Sequence, residues 1–357
     1  MNIAATDLKH ALKKLSSLKT ETYQLGETFV SAQDSDAWVV VDCPLSGLGP
    51  AFTIAGKKLS SVVNRMSGQI EITREDKKLT LRSAKAKVEL EIQPAKTSAV
   101  ALAQPDKALS LPAPEFKQAL SVACASASPA KSAPFGGCVQ FQSLGLGLEE
   151  EGPKEYRITG TDGIILTTVN TKTELPFEFR MLLNLTAASI VQLMDGPQIE
   201  VGETNTHLKI TSGGTTVYAS KPIQTYPNYD SLLSAAPHTK LSFQAEDLLS
   251  VLRTVEPMID ESVDQGAVAL HFKDGVVQCL SGGVGSTAQD ETVYEQIDPD
   301  PIFDPREVRL KLNVKYLSSF LSKAKGPAVL SLTNKPVFLE SGNMLVLTMP
   351  MLTKEKK

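Results

Sequence analysis

Six stretches of the chain repeat apolar residues at intervals of three and four, which is the spacing of one face of an α-helix. In the first stretch, Leu8, Leu12 and Leu15 fall on one side of a helical wheel, and Lys9 and Lys13 fall on the other. The same arrangement recurs along the chain. It predicts amphipathic helices over residues 6–19, 57–66, 114–126, 185–194, 245–256 and 314–325.

The segments between these helices alternate apolar and polar residues with a period of two, as half-buried strands do. Residues 69–73, 198–201 and 328–332 each begin such a run directly after a helical stretch. One helix with several antiparallel strands therefore recurs six times, and the copies group in pairs. The pattern predicts an α+β protein of three similar domains, each with two helices packed on antiparallel sheets. Their expected bounds are residues 1–108, 109–237 and 238–357.

Composition narrows the class of protein. The 357 residues include 36 Lys and Arg against 40 Asp and Glu, so a uniformly basic surface is excluded, while a local basic surface is not. No apolar run approaches the roughly 20 residues of a membrane helix, and residues 1–14 lack the apolar core of a secretory signal, so we expect a cytoplasmic protein. No Cys, His or carboxylate cluster has the spacing of metal ligands, so we expect no metal or other cofactor.

The basic residues are concentrated in the predicted helices, which carry twelve Lys and Arg against five acids. On any single helix, such lysines most simply form a solvated face. Their segregation across the whole set favours a basic surface that contacts the phosphates of double-stranded DNA without reading its sequence. The residues that we expect to contact DNA are Lys9, Lys13, Lys14, Lys57, Lys58, Arg65, Lys117, Arg253, Lys315 and Lys323.

Four short motifs, in this order and spacing, resemble those of one protein family. They are Thr-Gly-Thr-Asp-Gly at 159–163, Ser-Lys-Pro-Ile with Tyr-Pro-Asn-Tyr between 220 and 229, Asn-Val-Lys-Tyr-Leu at 313–317, and Met-Pro-Met at 349–351. The chain resembles the bacterial DNA polymerase III beta subunit family, the β sliding clamps, over essentially all three domains.

The resemblance implies a homodimer, joined head to tail as a ring, whose helices line a hole that encircles duplex DNA. It implies a processivity factor for DNA replication, not an enzyme. The ring would be loaded onto DNA by an ATP-driven clamp loader. The replicative polymerase, the loader and other partners would dock short linear motifs in one pocket per subunit, between the second and third domains.

The resemblance also assigns residues to the pocket and to the subunit contact. The pocket would comprise Phe135, Thr161, Gly163, Ile164, Ile165, Leu166, Pro227, Leu232, Asn313, Tyr316, Pro336, Leu347, Met349, Pro350 and Met351. The dimer interface would join Val88 and Leu90 of an edge strand to Met258 and Ile259 after the fifth helix.

The chain departs from the family at two places beside the pocket. Ile164 and Ile165 stand where the family usually has His-Arg, and residues 352–357 extend the chain beyond Met351. These changes leave room for a different partner motif. They are also compatible with a second hypothesis, a clamp-like protein that binds partners without encircling DNA. A third hypothesis is an enzyme of unrecognised type.

Overall fold

The computed structural model describes residues 1–95, 104–127, 137–144, 155–173, 175–222, 225–259, 266–283, 286–297, 307–333 and 336–350. The described residues form seven α-helices and a 3-10 turn at Glu256–Met258. The helices are α1 (Ala5–Leu15), α2 (Gly56–Arg65), α3 (Ala113–Cys124), α4 (Leu185–Gln192), α5 (Asp230–Leu233), α6 (Ala245–Val255) and α7 (Val314–Leu321). The six helices expected from the sequence are therefore confirmed, and α5 is an additional single turn.

Antiparallel strands make up most of the remaining structure. They are β1 (Asn2–Ala4), β2 (Thr22–Leu25), β3 (Phe29–Gln33), β4 (Ala37–Asp42), β5 (Phe52–Ala55), β6 (Gln69–Glu75), β7 (Lys78–Ser83), β8 (Ala86–Pro94), β9 (Ala108–Pro112), β10 (Cys138–Ser143), β11 (Tyr156–Thr161), β12 (Ile165–Thr171), β13 (Arg180–Asn184), β14 (Gln198–Glu203), β15 (His207–Ser212), β16 (Thr215–Ser220), β17 (Thr239–Gln244), β18 (Ala267–Lys273), β19 (Val276–Gly283), β20 (Ser286–Val293), β21 (Glu295–Ile297), β22 (Glu307–Asn313), β23 (Pro327–Leu332), β24 (Val337–Ser341) and β25 (Met344–Thr348). The predicted α+β class is confirmed.

The chain forms two compact units. Unit 1 comprises residues 1–118 and 181–223. Twelve of its strands form one sheet in the order β1-β6-β7-β8-β5-β2-β3-β4-β16-β15-β14-β9. Segments far apart in sequence join where β4 pairs with β16, and there Trp38 lies opposite Tyr218 with their rings stacked at 5.3 Å. Helix α1 packs beside α2, and Leu8, Leu15 and Leu59 are fully buried.

Unit 2 comprises residues 119–180 and 224–357. One of its sheets has the order β10-β11-β12-β25-β24-β23-β17-β21, and a second has the order β20-β19-β18-β22. The pairing of β12 with β25 again joins distant segments, with Ile165 opposite Thr348 and Leu166 opposite Leu347. Helix α6 packs beside α7.

One hydrogen bond recurs at the helices that open the three predicted domains. The first amide of α1, at Ala5, donates to the carbonyl of Gly68 at 2.8 Å. In the same way, Ala113 of α3 donates to Pro197 at 2.9 Å, and Ala245 of α6 donates to Gly326 at 3.1 Å. Each bond satisfies a backbone donor that a helix N-terminus leaves free, and the acceptor lies just after the next long helix. The threefold repeat is thus present in backbone hydrogen bonding. The domain bounds themselves stay a prediction.

No helix within the described ranges is long and apolar enough to span a membrane. The same residues contain no group of His, Cys, Asp and Glu side chains that could hold a metal ion. All four cysteines are free thiols. Burial raises the pKa of Cys43 and Cys138 to about 11 and that of Cys124 and Cys279 to about 12, so they stay protonated and unreactive near neutral pH.

Candidate functional site

A tight turn between β11 and β12 presents an apolar side chain to solvent in unit 2. The carboxylate of Asp162 accepts the amides of Ile164 at 2.8 Å and Ile165 at 2.9 Å, and the Thr161 hydroxyl accepts the amide of Gly163 at 3.0 Å. Gly163 has φ 92°, which a residue with a side chain adopts only with strain. The turn leaves Ile164 60% exposed, and it is one of five large apolar residues that are exposed among the described residues.

The last strand of the chain runs beside this turn. Because Ile165 pairs with Thr348, the register brings Ile164 next to Met349, whose side chain is 47% exposed. Leu347, on β25 opposite Leu166, is buried, and Pro350 is half-buried. The strand pairing therefore places two of the predicted pocket residues, Ile164 and Met349, at the same end of β12 and β25, and both are exposed.

A tyrosine connects α7 to the same turn. The Tyr316 hydroxyl donates to the Asp162 carboxylate at 2.7 Å. Burial, the hydrogen bond and the negative charge of Asp162 together raise the pKa of Tyr316 to about 12, so it keeps its proton. Asn313 caps α7 and accepts the amide of Lys315 at 3.0 Å. Asp162 thus joins the candidate pocket as the residue that holds both the turn and Tyr316. The sequence motif contained Asp162, but its role was missed.

A third part of the candidate pocket lies in the segment that leads to α5. Pro227 is half-buried, and the Leu232 side chain is 45% exposed. Tyr226 and Tyr229 of the same segment are buried, and their hydroxyls bond to β10 and β11. Pro336 is buried, and its carbonyl accepts the Thr333 hydroxyl at 2.8 Å. The predicted pocket residues Phe135 and Met351 lie outside the described residues.

The basic residues of unit 1 divide into exposed and internally bonded side chains. Lys13, Lys57, Lys58 and Arg65 on α1 and α2 are exposed, and Lys9 is half-buried. The Lys117 ammonium, on α3, donates to the carbonyl of Met194. The four exposed residues give α1 and α2 positive charge on their solvent-facing sides.

The predicted contact of Lys14 with DNA does not fit the structure, because this lysine is buried. Its side chain is 3% exposed, because its ammonium donates to the Asp195 carboxylate at 2.6 Å and to the Thr215 hydroxyl at 3.0 Å. His10 lies on the exposed side of the same carboxylate, with Nε2 at 2.6 Å. The helical wheel placed Lys14 outward, whereas a partner 181 residues away draws it inside.

The charge on Asp195 is stabilised by its neighbours. Burial alone would raise the pKa of this carboxyl, but the hydrogen bonds and charges of Lys14 and His10 outweigh that effect and hold the pKa below its usual value. Asp195 follows α4 and lies just outside the predicted helical stretch 185–194. It is therefore not among the five acids of the predicted helices.

In unit 2, Arg253 on α6 and Lys315 on α7 are exposed. Lys323, just after α7, is half-buried, and its ammonium donates to the carbonyl of Ser121 at 3.0 Å. Burial lowers its pKa. Two acids, Glu246 and Asp247, are exposed in the first turn of α6, so the helices of unit 2 are less basic than those of unit 1.

Two strand edges among the described residues bear on the predicted dimer interface. β8 pairs with β7 along residues 86–91 but with β5 only at residues 92–94, so one side of its first part has no strand beside it among the described residues. Val88 and Leu90 lie on this part and are half-buried. In unit 2, β20 is the edge of its sheet, and Val293 at its end is 67% exposed. Met258 is 39% exposed, and Ile259 is half-buried. Open edges of this kind are templates for pairing with another chain.

No protein-family model matches the chain, and no curated protein matches it. Solved structures do match. The chain is similar to the DNA polymerase III beta subunit from Thermotoga maritima, with a TM-score of 0.83, 15% identity and 99% of each chain covered.

Two further sliding clamps match over the same extent. A sliding clamp from Bartonella birtlesii, bound to griselimycin, matches with a TM-score of 0.83, 15% identity and 99% of each chain covered. A DNA polymerase sliding clamp from Pseudomonas aeruginosa, with a ligand, matches with a TM-score of 0.81, 14% identity and 99% of each chain covered. The chain therefore has, from end to end, the fold of bacterial DNA polymerase III beta subunits.

Proposed function

We propose that the protein is a DNA sliding clamp, a processivity factor that encircles duplex DNA and tethers a replicative polymerase and other partners to it. The observation that carries the proposal is the match to sliding clamps over 99% of the chain. Its role would be binding, not catalysis. A protein with this role would work in the cytoplasm, where bacterial DNA is replicated.

The exposed basic residues of α1, α2, α6 and α7 support contact with DNA. We propose that Lys13, Lys57, Lys58, Arg65, Arg253 and Lys315 attract phosphates, with Lys9, Lys117 and Lys323 as weaker contributors because they are half-buried. Attraction to the backbone alone depends on salt and not on sequence, which suits a protein that slides.

Charge reversal tests this contact. Lys13→Glu with Arg65→Glu should weaken binding to duplex DNA about tenfold in low salt and reduce the slope of log affinity against log salt by about 2, because two phosphate contacts are lost. Fluorescence anisotropy with a labelled duplex measures both quantities. The matched control is Lys172→Glu with Lys273→Glu, which changes the net charge equally at exposed lysines outside the helices. Equal weakening by both variants would contradict the proposed surface.

The open edges of β8 and β20 support a head-to-tail homodimer. β8 of each copy would pair with the open edge at β20, in the predicted third domain, of the other copy. Two such contacts would close a ring. Val88 and Leu90 would meet Met258 and Ile259 across this contact. Backbone pairing along an open edge provides affinity, and the apolar side chains exclude water.

Solution mass tests the homodimer. Light scattering on a dilution series should give twice 38.4 kDa for the protein. Val88→Asp with Leu90→Asp should give 38.4 kDa, because two carboxylates cannot be buried unpaired in an apolar contact. Thr73→Asp, at an exposed position on β6, is the control and should leave the dimer intact. A monomeric protein that still binds partners would instead favour a clamp-like protein that does not encircle DNA.

The pocket would receive short linear motifs of the polymerase and clamp loader. Ile164, Leu232 and Met349 are three of the exposed large apolar side chains of the described residues, and all three belong to the pocket assigned by resemblance. A contiguous exposed apolar patch is typical of an interaction site, and the proposal requires these three side chains to form one.

Griselimycin provides a probe of this pocket, because a sliding clamp of the same fold binds it. We expect the protein to bind griselimycin and Ile164→Glu to lower the affinity at least about tenfold, since binding would have to desolvate a charge at an apolar position of the proposed pocket. Isothermal titration calorimetry measures the affinity. The variant Val88→Asp with Leu90→Asp is the control and should bind as the unaltered protein does. Unchanged binding by Ile164→Glu would place the ligand elsewhere.

A further inference from the structure

The contacts that hold Leu232 in place within α5 are few and weak among the described residues. It lies in α5, which has only four residues, and helices this short do not persist without outside support. Its side chain is 45% exposed, so packing fixes it only in part. The ion pair between Asp230 and Arg157 spans 3.9 Å, and Asp230 is 74% exposed, so it contributes little. The position of Leu232 must therefore depend on another contact.

Tyr229 provides that contact through its backbone. It is the residue before α5, and its carbonyl accepts the amide of Leu232 at 2.9 Å and the amide of Leu233 at 3.2 Å. These two bonds begin the helix, and the Asn228 side chain accepts the amide of Asp230 at 3.1 Å beside them. Wherever Tyr229 lies, the turn that carries Leu232 must follow.

The side chain of Tyr229 is anchored in the sheet. It is 3% exposed, and its hydroxyl lies 2.8 Å from the Thr159 hydroxyl and 2.8 Å from the side-chain amide of Gln140. The ring packs edge to face on Tyr226, with centroids 6.2 Å apart, and Tyr226 donates to the carbonyl of Thr159 at 2.9 Å. Strands β10 and β11 are paired along their length, so this anchor is rigid.

We propose that Tyr229 is a positioning residue of the partner pocket: its buried hydroxyl, fixed on Gln140 and Thr159, holds the α5 turn so that Leu232 is already in place when an apolar ligand binds. The proposal rests on the proposed function, since it requires a ligand in this pocket. Ordering a loop before binding improves affinity because the ligand no longer has to order it.

The test is a double-mutant cycle on the full-length protein with griselimycin as the probe. Tyr229→Phe removes only the hydroxyl and should lower the affinity about five- to tenfold. In the Leu232→Ala background the same change should lower it less than twofold, because the side chain that Tyr229 positions is gone. Tyr294→Phe, which removes a hydroxyl elsewhere in unit 2, is the matched control and should leave the affinity unchanged.

Hydrogen exchange provides a second reading of the same variant. Amide exchange at Leu232 and Leu233 should quicken at least tenfold in Tyr229→Phe, while exchange in β11 and β12 stays within twofold of the unaltered protein. A general loss of structure would instead quicken exchange in the strands as well.

Three outcomes would overturn the proposal. If the unaltered protein fails to bind griselimycin, the proposed pocket fails, and the positioning role fails with it. If the protein binds but Tyr229→Phe binds equally well, the pocket stands and the positioning role is wrong. If Tyr229→Phe lowers the affinity equally with and without Leu232, the tyrosine acts on the fold in general and not through Leu232.

Discussion

Asp195→Ala should lower the free energy of unfolding by about 3 kcal/mol, because it leaves the ammonium of Lys14 buried with only the Thr215 hydroxyl beside it. Lys14→Met should cost less than about 1 kcal/mol, since an apolar side chain of similar length fills the same space and Asp195 is half-exposed to water. The double variant should resemble Lys14→Met. Urea unfolding measures all three. Equal losses in the two single variants would contradict the burial of Lys14.

The same ion pair sets a pH dependence. The pKa of Asp195 is lowered in the folded protein, so its contribution to stability is fully present above the ordinary carboxyl pKa of about 3.9. That contribution is lost as the pH falls through the lower folded value. The stability difference between the unaltered protein and the variant with both Lys14→Met and Asp195→Ala should therefore shrink in acid below about pH 4. A difference that stays constant into acid would show that Asp195 does not carry the charge.

Gly160→Ala should have a still larger effect, a loss of about 4 kcal/mol or more, or failure to fold. A Cβ atom at this position would lie 1.9 Å from the carbonyl oxygen of Ala123, at the end of α3, and 2.7 Å from its carbon. The strand cannot shift away, because β11 is paired on both sides, with Gly160 opposite Val139 and opposite Thr167. Backbone atoms on both sides of the clash rule out a cheap side-chain rearrangement.

The control for this prediction is Gly342→Asn in the same unit. Gly342 has φ 59°, and nothing lies within 4 Å of a Cβ there. Asparagine tolerates this left-handed conformation better than other residues with a side chain, so the loss should stay within about 1 kcal/mol. Urea unfolding and the soluble yield compare the two variants. A Gly160→Ala protein as stable as the control would contradict the close approach of α3 to β11.

The helices were predictable from the sequence because each amphipathic stretch encodes its own buried face. Helices α1 and α7 fall where the spacing of their leucines placed them. What the sequence could not predict are the pairings of β4 with β16 and of β12 with β25. The alternation of apolar and polar residues in each of these strands fits many partner strands equally well. The actual partner lies more than 170 residues away in the sequence, so the local pattern does not determine the register.

The environment of single side chains was likewise predictable only where it depends on the local sequence. Lys13 is exposed as the helical wheel predicted, but Lys14 is buried because its carboxylate partner, Asp195, comes from the segment after α4. Ile164 and Met349 were assigned to one pocket only through a family resemblance, and the strand register brings them together. Tyr229 lies in the Tyr-Pro-Asn-Tyr motif, but its role depends on hydroxyl and carbonyl contacts that no spacing in the sequence reveals.

Encirclement of DNA by the protein is tested most directly by its retention on DNA with and without free ends. The protein would be loaded on a nicked circular plasmid with a clamp loader and ATP, then separated by gel filtration in high salt before and after a single cut in the plasmid. A sliding ring is predicted to stay with the circle and to leave the DNA once it is cut, because a topological link survives salt but not an open end. Equal retention on circular and linear DNA would show simple adhesion to the backbone and would contradict encirclement.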